Sequence, residues 1–203
     1  MKELENIEYF DKNIFYSNLS TKFLGRNLIY YEIIDSTQEE IWKIAKNVPQ
    51  GTLVLADLQT KGKGTHGRNW CTDEKNNIAF SFILKPNCDI KRLEGLTLEI
   101  AEIILKVFEE VYQIKLQIKK PNDIVYKDKK IGGILTETRV IKDKVNYLNI
   151  GIGINTNKEN FPKELIDIAS SIKKEFNIEI DNIKIITNFC NKFEKSFLKR
   201  MED

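Results

Sequence analysis

Histidine and cysteine are both scarce in this sequence, and their scarcity excludes several kinds of site. The chain of 203 residues contains one histidine, His66, and three scattered cysteines, Cys71, Cys88 and Cys190, none of them in a C-x-x-C pair. A disulfide framework and a zinc site made of Cys and His are therefore both disfavoured. Thiols without a bonding pattern are typical of a reducing compartment, so we expect a cytoplasmic protein.

Long apolar runs and a surplus of one charge are missing as well. No apolar run reaches the roughly 18 residues that a membrane span needs, and residues 1–5 lack the apolar core of a signal peptide. The 32 Lys and Arg residues oppose 30 Asp and Glu residues, which leaves a formal net charge of +2. This balance gives no general reason to expect binding to nucleic acid or membranes, so any positive site must be local.

The sequence does have enough apolar material for one domain of ordinary size. Hydrophobic residues make up 41% of the chain, which argues against disorder. No internal repeat or proline-rich linker divides the chain. We therefore expect residues 1–203 to form a single domain with a real hydrophobic core.

The spacing of apolar residues predicts strands interrupted by a few helices. Apolar and β-branched runs indicate strands, and apolar residues at every third or fourth position indicate helices. Strands are expected at 28–34, 52–57, 78–84, 115–119, 123–127, 130–140 and 145–154, with helices at 37–47 and 92–112 and after about residue 160. Asp128-Lys129 and Lys142-Asp143-Lys144 have the composition of hairpin turns. This order predicts an α+β fold with a mixed, mostly antiparallel β-sheet packed with helices.

The segment that is most informative about chemistry is rich in glycine and in cations. It runs from Gln59 to Trp70 (QTKGKGTHGRNW) and contains no acidic residue. Its glycines let backbone N–H groups approach an anion and its cations supply charge, which together favour a phosphate-binding loop. The Gly-Lys-Ser/Thr ending of a P-loop is missing, and the glycine spacing is not that of a dinucleotide-binding fingerprint. A solvated surface loop explains the same composition equally well.

Three further segments each allow a binding site and also a plainer explanation. In KKPND (119–123), Asn122 and Asp123 offer oxygen ligands for Mg²⁺ near a phosphate, although Pro-Asn-Asp is also a common turn sequence. KKIGGILTE (129–137) has a diglycine within an apolar strand, which usually marks the close approach of a ligand to the backbone, and Lys130 lies at the start of that strand. The plainer explanation is that Lys130 is a solvated lysine like most others in the chain. In NIGIGIN (149–155), alternate glycines either admit a ligand beside Asn155 or mark a bulged sheet edge.

In their order along the chain, these segments resemble the motifs of the biotin–protein ligases. QTKGKGTHGRNW resembles the family's biotin loop, Gly-Arg-Gly-Arg-x-Gly-Arg-x-Trp, and DSTQ (35–38) resembles its Asp-Ser-Thr-Asn helix start. KKPNDIVYKDKKIGGILTE (119–137) resembles its Lys-Trp-Pro-Asn-Asp … Lys-x-x-Gly-Ile-Leu-x-Glu block, GIGIN (151–155) its Gly-x-Gly-x-Asn strand, and ASSI (169–172) its Ala-Thr-Ser-Leu turn. The resemblance implies the class II synthetase-like catalytic domain of biotin and lipoate ligases.

The resemblance also implies which residues bind each substrate. Lys130 matches the family's catalytic lysine, which contacts the biotin carboxylate and the α-phosphate; Arg68 and Asp123 would assist it, with Asp123 as a Mg²⁺ ligand. The residues expected at biotin are Ser36, Thr37, Gln38, Gln59, Lys63, Gly64, Thr65, Lys130, Gly132 and Gly133. The residues expected at ATP are Arg68, Asn69, Trp70, Lys119, Asn122, Lys130 and Asn155.

The activity that the resemblance implies has two steps. Biotin and ATP, with Mg²⁺, would form biotinyl-5′-AMP, and the biotinyl group would then pass to a lysine of a biotin carboxyl carrier domain. Because a carboxylate must attack a negatively charged phosphate, catalysis needs cations at the developing charge more than it needs an acid or a base. Members of the family occur as monomers and as homodimers, and the sequence leaves this open.

Two residues depart from the family pattern. Thr65 stands where the family has its second loop arginine, which helps to retain the acyl-adenylate. We hypothesise that this chain either releases biotinyl-AMP more readily or uses Lys61, Lys63 or His66 instead. Lys120 replaces the usual tryptophan before Pro-Asn-Asp and adds charge near the site.

The resemblance also has limits and rivals. The residues before Asp35 are too few for the winged-helix DNA-binding domain of bifunctional relatives, and the SH3-like C-terminal barrel of many members is expected to be absent. We therefore expect neither repressor activity nor nucleic-acid binding. A lipoate–protein ligase is the nearest rival, although its arginine-rich triple-glycine block is missing. A non-catalytic protein that binds biotin or a nucleotide is the second.

Overall fold

An eight-stranded β-sheet organises the part of the chain that the computed structural model describes, residues 10–72 and 77–202. In chain order, the strands are β1 (Leu28–Ile34), β2 (Leu53–Lys63), β3 (Asn69–Thr72), β4 (Ile78–Leu84), β5 (Gln117–Lys119), β6 (Asp123–Tyr126), β7 (Lys129–Ile141) and β8 (Lys144–Ile154). The helices are α1 (Lys12–Ser17), α2 (Thr37–Ile44), α3 (Leu96–Tyr112), α4 (Ile172–Phe176) and α5 (Asn182–Glu202), and short 3₁₀ turns lie at Thr65–Gly67 and Ile90–Leu93.

The sheet is mixed. Its strands follow the order β1-β2-β4-β8-β7-β6-β5, and β3 pairs with β2 beside this path. β1 and β2 run parallel because α2 carries the chain back between them, whereas the other pairs are antiparallel. Two hairpins turn through Lys127-Asp128 and Lys142-Asp143, whose positive φ angles suit tight two-residue turns. The predicted α+β fold with a mostly antiparallel sheet is confirmed, and the first turn lies one residue earlier than predicted.

The main hydrophobic core lies between one face of the sheet and helices α3 and α5. β4 is buried along its whole length because it lies near the centre of the sheet with both faces covered. On α5, Phe189, Phe193 and Phe197 share one face, as predicted. The ring centroids of Phe189 and Phe193 are 5.5 Å apart, and Phe193 lies 5.4 Å from the ring of Phe82 on β4. These aromatic contacts hold α5 against the centre of the sheet.

The opposite face of the sheet is covered only in part. Helix α2 packs there, and its Ile41 together with Ala45 contacts Val54 of β2 and Ile83 of β4 in a second, smaller core. Beyond α2, the same face is formed by β7 and β8, where glycines occupy positions at which other strands carry large side chains. The uncovered part of this face is where the cavities described below are found.

The glycine-rich segment forms paired strands, in contrast to the predicted loop. β2 continues to Lys63, and β3 returns antiparallel to it, with Gly62 opposite Trp70 and Lys63 opposite Asn69. A Cβ atom on Gly62 would lie 2.4 Å from the carbonyl oxygen of Trp70, so the missing side chain lets the two strands close. The loop-like composition therefore gave no indication that this segment is extended, although β3, the strand that pairs with it, follows only a few residues later.

Helix boundaries differ from the predictions at four places, the first of which is α2, which ends at Ile44 and not at residue 47. The long helix begins at Leu96 and not at residue 92, because Gly95 has a φ of 75°, which a continuous helix cannot contain. Helix α1 was not predicted, since its six residues are too few to show a period. In the described residues, the first helix after residue 160 begins only at Ile172.

The composition disfavours membrane proteins and proteins with a disulfide framework, and the described residues provide observations on both. No helix among them combines the length and the apolar character that crossing a membrane requires. Cys88 and Cys190 are buried free thiols, so no disulfide joins them.

The buried carboxylate of Glu194 generates a prediction about stability. It accepts hydrogen bonds from the backbone N–H groups of Lys22, Phe23 and Leu24 and so ties α5 to the segment that precedes β1. Glu194→Ala leaves these donors without an acceptor, so we expect the free energy of unfolding to fall by about 2–4 kcal/mol. Glu194→Gln keeps one acceptor oxygen and is expected to lose less. Urea unfolding measures both, and equal stability of the two variants would contradict this account.

Candidate active site

The first cavity lies on the sheet face where β7 and β8 carry glycine. Gly133 pairs with Gly153, and Gly151 lies between Leu135 of β7 and Ser81 of β4. The space inside it, part of which is open to solvent, is about 430 Å³. Its lining includes the polar residues Thr37, Gln38, Gln59, Ser81 and Asn122, the glycines Gly64, Gly133, Gly151 and Gly153, and Lys63, Thr65, Trp70 and Lys130.

The glycines of β8 leave room for two large side chains, one from β3 and one from α2. A Cβ atom on Gly153 would lie 2.4 Å from Cε2 of Trp70, and one on Gly151 would lie 2.4 Å from Oε1 of Gln38. Trp70 of β3 and Gln38 of α2 therefore rest directly on the backbone of β8. Glycine is required at these two positions because a methyl group would push each side chain out of its place.

A second cavity adjoins the first on the other side of Trp70. The space inside it, again partly open to solvent, is about 740 Å³. Its walls combine cations, amides and apolar side chains: Arg68, Lys130, Lys158, Asn69, Asn155, Trp70, Phe161, Leu165, Ile168, Ala169, Gly64 and Thr65. No acidic residue is among those that line either cavity in the described chain. Both cavities are therefore suited to an anionic ligand.

Lys130 lies where the two cavities meet. Gly64, Thr65, Trp70 and Lys130 line both of them. The ammonium of Lys130 lies 2.6 Å from Oδ1 of Asp123 and 5.7 Å from the centroid of the Trp70 ring. Its backbone is also held, because its N–H donates to Ile168 and its carbonyl accepts from Ser170. This lysine is thus fixed at both ends beside the junction.

The polar floor of the first cavity is built around the start of α2. Oε1 of Gln59 accepts from the backbone N–H of Thr37 at 2.8 Å, and the Thr37 hydroxyl lies 2.8 Å from that of Ser81. Ser36 caps the helix by accepting from the N–H of Glu39. The floor therefore uses the end of a helix, where backbone donors have no partner within the helix.

The cations of the glycine-rich segment are paired with acids on or before α2. The ammonium of Lys63 lies 2.6 Å from Oε1 of Glu39, and their hydrogen bond raises the pKa of Lys63 and lowers that of Glu39. Lys61 lies 3.0 Å from Asp35, whose pKa is lowered by the hydroxyl of Thr60 and then by Lys61. The pair with Glu39 therefore favours the charged form of Lys63. Lys63 lines the first cavity, whereas Lys61 lines neither.

Thr65 and Arg68 contact each other at the rim. Arg68 donates to the carbonyl oxygen of Thr65 at 3.2 Å and to its hydroxyl at 3.0 Å. The guanidinium is thereby directed towards the place where the family pattern has another arginine. The side chain of His66, a further candidate from the sequence, lies outside what the structure describes.

The structure brings most of the predicted site residues together. Around the first cavity lie Thr37, Gln38, Gln59, Lys63, Gly64, Thr65, Lys130 and Gly133. Around the second lie Arg68, Asn69, Trp70, Lys130 and Asn155. Asp123 lines neither cavity but is the ion-pair partner of Lys130.

Four predicted residues lie elsewhere than expected. A Cβ atom on Gly132 would meet Ile124 and Ile154 in the main core, because adjacent strand residues face opposite sides. Lys119 is exposed on the terminal strand β5 and lines neither cavity. Asn122 lines the first cavity, not the second, and its amide donates to the carbonyl oxygen of Ile134. Ser36 acts as the helix cap and does not line a cavity.

Sequence reasoning missed several residues that shape the site. Ser81, Glu137 and Trp42 form hydrogen bonds with or beside Gln38, and Lys158 and Phe161 line the second cavity. Two of them left a signal: Ser81 is the polar residue in the apolar run IAFSFIL, and Glu137 closes the motif KIGGILTE. Lys158 and Phe161 follow the GIGIN strand, but no sequence motif marks them as site residues.

An α+β domain with two adjoining ligand cavities joined by one lysine matches a known class of protein. Residues 30–155 match the model of the biotin/lipoate A/B protein ligase family. The chain is 40% identical over 182 residues to the bifunctional ligase/repressor BirA of Bacillus subtilis, a match that covers 88% of this chain and 56% of that protein. The chain belongs to the biotin/lipoate A/B protein ligase family.

Solved structures agree with this assignment. The biotin protein ligase from Aquifex aeolicus in complex with biotin and ATP is 33% identical, with a TM-score of 0.75 over 88% of this chain and 73% of that one. The biotin protein ligase from Leishmania major in complex with biotinyl-5-AMP is 25% identical, with a TM-score of 0.69 over 85% and 76%. The chain spans 56% of the length of the two curated Bacillus relatives that it matches at 40% and 41% identity.

The opposite orientations of two glycines lead to a prediction. In Gly153→Ala the new methyl group would overlap the Trp70 indole, so we expect the indole to move and the intrinsic tryptophan fluorescence to change, with little loss of stability. In Gly132→Ala the methyl would lie 2.9 Å from the Gly153 carbonyl oxygen within the core, so we expect a loss of about 1–3 kcal/mol with unchanged fluorescence. Emission spectra and urea unfolding of both variants provide the measurement. A change in fluorescence for Gly132→Ala, together with a large loss of stability for Gly153→Ala, would refute the placement of Trp70.

Proposed function

We propose that this chain is the catalytic unit of a biotin–protein ligase. It would convert biotin and ATP into biotinyl-5′-AMP and then transfer the biotinyl group to a lysine of a biotin carboxyl carrier domain. The observation that carries this proposal is the shared wall of the two cavities, where Lys130, Trp70, Gly64 and Thr65 would contact both substrates. A relative crystallised with both biotin and ATP supports the same assignment of ligands.

Each cavity suits one of the two substrates. The first is the smaller, and its polar floor of Thr37, Gln59 and Ser81 would bind the ureido ring of biotin. The second has the aromatic ring of Trp70 on one side and Phe161 on the other, which suits a nucleotide. In this arrangement the carboxylate of biotin would point towards Lys130, beside the α-phosphate.

The first chemical step brings two anions together. The biotin carboxylate attacks the α-phosphorus, an acyl–phosphate bond forms, and pyrophosphate leaves. Lys130 at the junction, with Arg68 and Lys63 at the rims, would stabilise the negative charge that develops on the phosphate oxygens. Because these cations are already placed before the ligand binds, little reorganisation is needed during the reaction.

The second step requires a neutral amine from the carrier. A lysine of the carrier would attack the acyl carbon of biotinyl-AMP, and AMP would leave with the electrons of the broken bond. Asp123 is the nearest described carboxylate to the junction, 2.6 Å from Lys130, so we propose that it accepts the proton of the incoming amine.

Mg²⁺ is expected to bind mainly through the phosphates of ATP. Within residues 10–72 and 77–202, no three His, Cys, Asp or Glu side chains gather as a metal-binding cluster. The amides of Asn122 and Asn155 each donate to a backbone carbonyl, at Ile134 and Ser170. The described residues therefore offer no complete metal cage, and Mg²⁺ bound by one or two protein groups plus phosphate oxygens is the usual arrangement in nucleotide sites.

Compartment and partner follow from the same proposal. The free thiols of Cys88 and Cys190 support a reducing compartment, and we propose the cytoplasm. The partner would be the carrier domain of a biotin-dependent carboxylase. This chain would bind it as a monomer or as a homodimer.

The direct test is pyrophosphate exchange with ATP in the presence of biotin, lipoate or octanoate. Exchange with biotin alone is expected, followed by transfer of labelled biotin to a purified carrier domain. Exchange that depends on lipoate or octanoate would assign the chain to the lipoate branch of the family. Binding of biotin without any exchange would identify a non-catalytic binding protein.

Removal of the charge at the junction generates a further prediction. Lys130→Met keeps the length of the side chain and deletes its charge, so we expect the rate of biotin-dependent pyrophosphate exchange to fall about 10²–10³-fold. Lys115→Met, at an exposed lysine on the far side of α3, serves as the matched control and is expected to keep the full rate. Full activity of Lys130→Met would exclude Lys130 from catalysis.

Thr65 generates a prediction about retention of the intermediate. In Thr65→Arg a new cation would stand at the shared wall of the cavities, so we expect free biotinyl-AMP to be released roughly tenfold more slowly. Thr65→Gln, which adds length without charge, is the control and should behave as the wild type. Release can be followed by chromatography of the free adenylate, and equal release from wild type and Thr65→Arg would remove the hypothesis.

A further inference from the structure

A chain of hydrogen bonds runs beneath the first cavity. The hydroxyl of Thr37 lies 2.8 Å from that of Ser81, which donates to Oε1 of Gln38 at 3.0 Å. Nε2 of Gln38 donates to Oε2 of Glu137 at 2.9 Å, and the indole N–H of Trp42 donates to the same oxygen at 2.7 Å. Thr37, Gln38 and Ser81 are each at most 3% exposed, so water does not compete for the bonds between them, whereas the bonds to Glu137 are only part-buried.

Glu137 decides the direction of the two hydrogen bonds that the Gln38 side chain forms with Glu137 and Ser81. An ionised carboxylate can only accept hydrogen bonds, so the amide of Gln38 must turn its NH₂ group towards Glu137. Its oxygen then accepts the single proton of the Ser81 hydroxyl, while the proton of the Thr37 hydroxyl is shared between Oε1 of Gln59, at 3.1 Å, and Ser81. Without an acceptor at position 137, the amide of Gln38 would be free to rotate and reverse these bonds.

The direction of the chain sets the polarity of the cavity wall. Gln38 lines the first cavity, and Gly151 leaves room for its oxygen against β8. A carbonyl oxygen has two lone pairs, of which Ser81 uses one, so the other remains to accept an N–H from a ligand. A ligand ring with N–H donors can use this acceptor, whereas a dithiolane ring or an alkyl chain leaves a buried acceptor unpaired.

We propose that Glu137 is a positioning residue that, through Gln38, makes the first cavity select a ureido ring. Glu137 itself lines neither cavity, so it would act without contacting the ligand. The inference rests on the proposed function, because it takes biotin as the ligand of the first cavity. It adds a residue that determines specificity to those that the family motifs place at biotin.

The test compares two substitutions at position 137. Glu137→Met removes the acceptor, so we expect the Kd values of biotin and of dethiobiotin, which keeps the ureido ring, to rise by the same factor of about ten. The Kd of ATP, and kcat for adenylation at saturating biotin, should change less than about twofold. Glu137→Gln retains an oxygen that can accept from Gln38 and is expected to keep most of the affinity.

A double-mutant cycle shows whether Glu137 acts through Gln38. In a Gln38→Met background the amide is absent, so adding Glu137→Met should not raise the Kd of biotin further. Trp42→Phe removes the second donor to Glu137 but leaves the bond to Gln38, and it should bind biotin as the wild type does. Thermal unfolding of each variant separates a local effect from a loss of structure.

The outcomes are distinct. Additive effects of Gln38→Met and Glu137→Met, or an equal loss of ATP and biotin affinity, would overturn the inference and leave the proposed function intact. Wild-type protein that binds neither biotin nor dethiobiotin would overturn the proposed function and the inference with it. The inference would be supported if Glu137→Met lowered the affinity for biotin and for dethiobiotin alike, if Glu137→Gln restored that affinity, and if Glu137→Met had no such effect in the Gln38→Met background.

Discussion

The alternation of side chains along β8 is the constraint on which the site depends. The isoleucines at positions 150, 152 and 154 face the core under α3 and α5, while Gly151 and Gly153 face the other side. The isoleucines on one face of β8 therefore pack in the core, and the glycines on its other face leave space for a ligand. Trp70 and Gln38 occupy part of that space and define the two cavities, so the stability of the domain and the shape of its site have a common origin.

The charges of the site are arranged so that its cations have partners outside the cavities. Lys63 pairs with Glu39 and Lys130 pairs with Asp123, and neither acid lines a cavity. Each pair reduces the repulsion that several like charges would otherwise exert on one another in the ligand-free chain. An anionic ligand can then approach these ammonium groups without meeting negative charge on the cavity walls. The same acids keep both cations in place before the ligand arrives.

Local patterns in the sequence predicted those features that depend on neighbouring residues. The strands at 28–34 and 78–84 have the predicted bounds, because alternation and β-branching act within a few residues. The glycine-rich segment was predicted as a loop, since the strand that pairs with it could not be seen in its composition. The role of Gly132 was also missed in part, because the direction of a glycine depends on the register of its strand.

By itself, the sequence determined the class of fold, the order of the motifs, the family and most of the residues at the two cavities. These depend on residue identity and on short spacings, which the chain displays directly. Only the tertiary structure decided that Trp70 separates the cavities, that Lys130 stands between them, and that Glu137 orients Gln38. Each of these contacts joins residues far apart in the chain, and their geometry is set by how the strands pair and how α2 packs on the sheet.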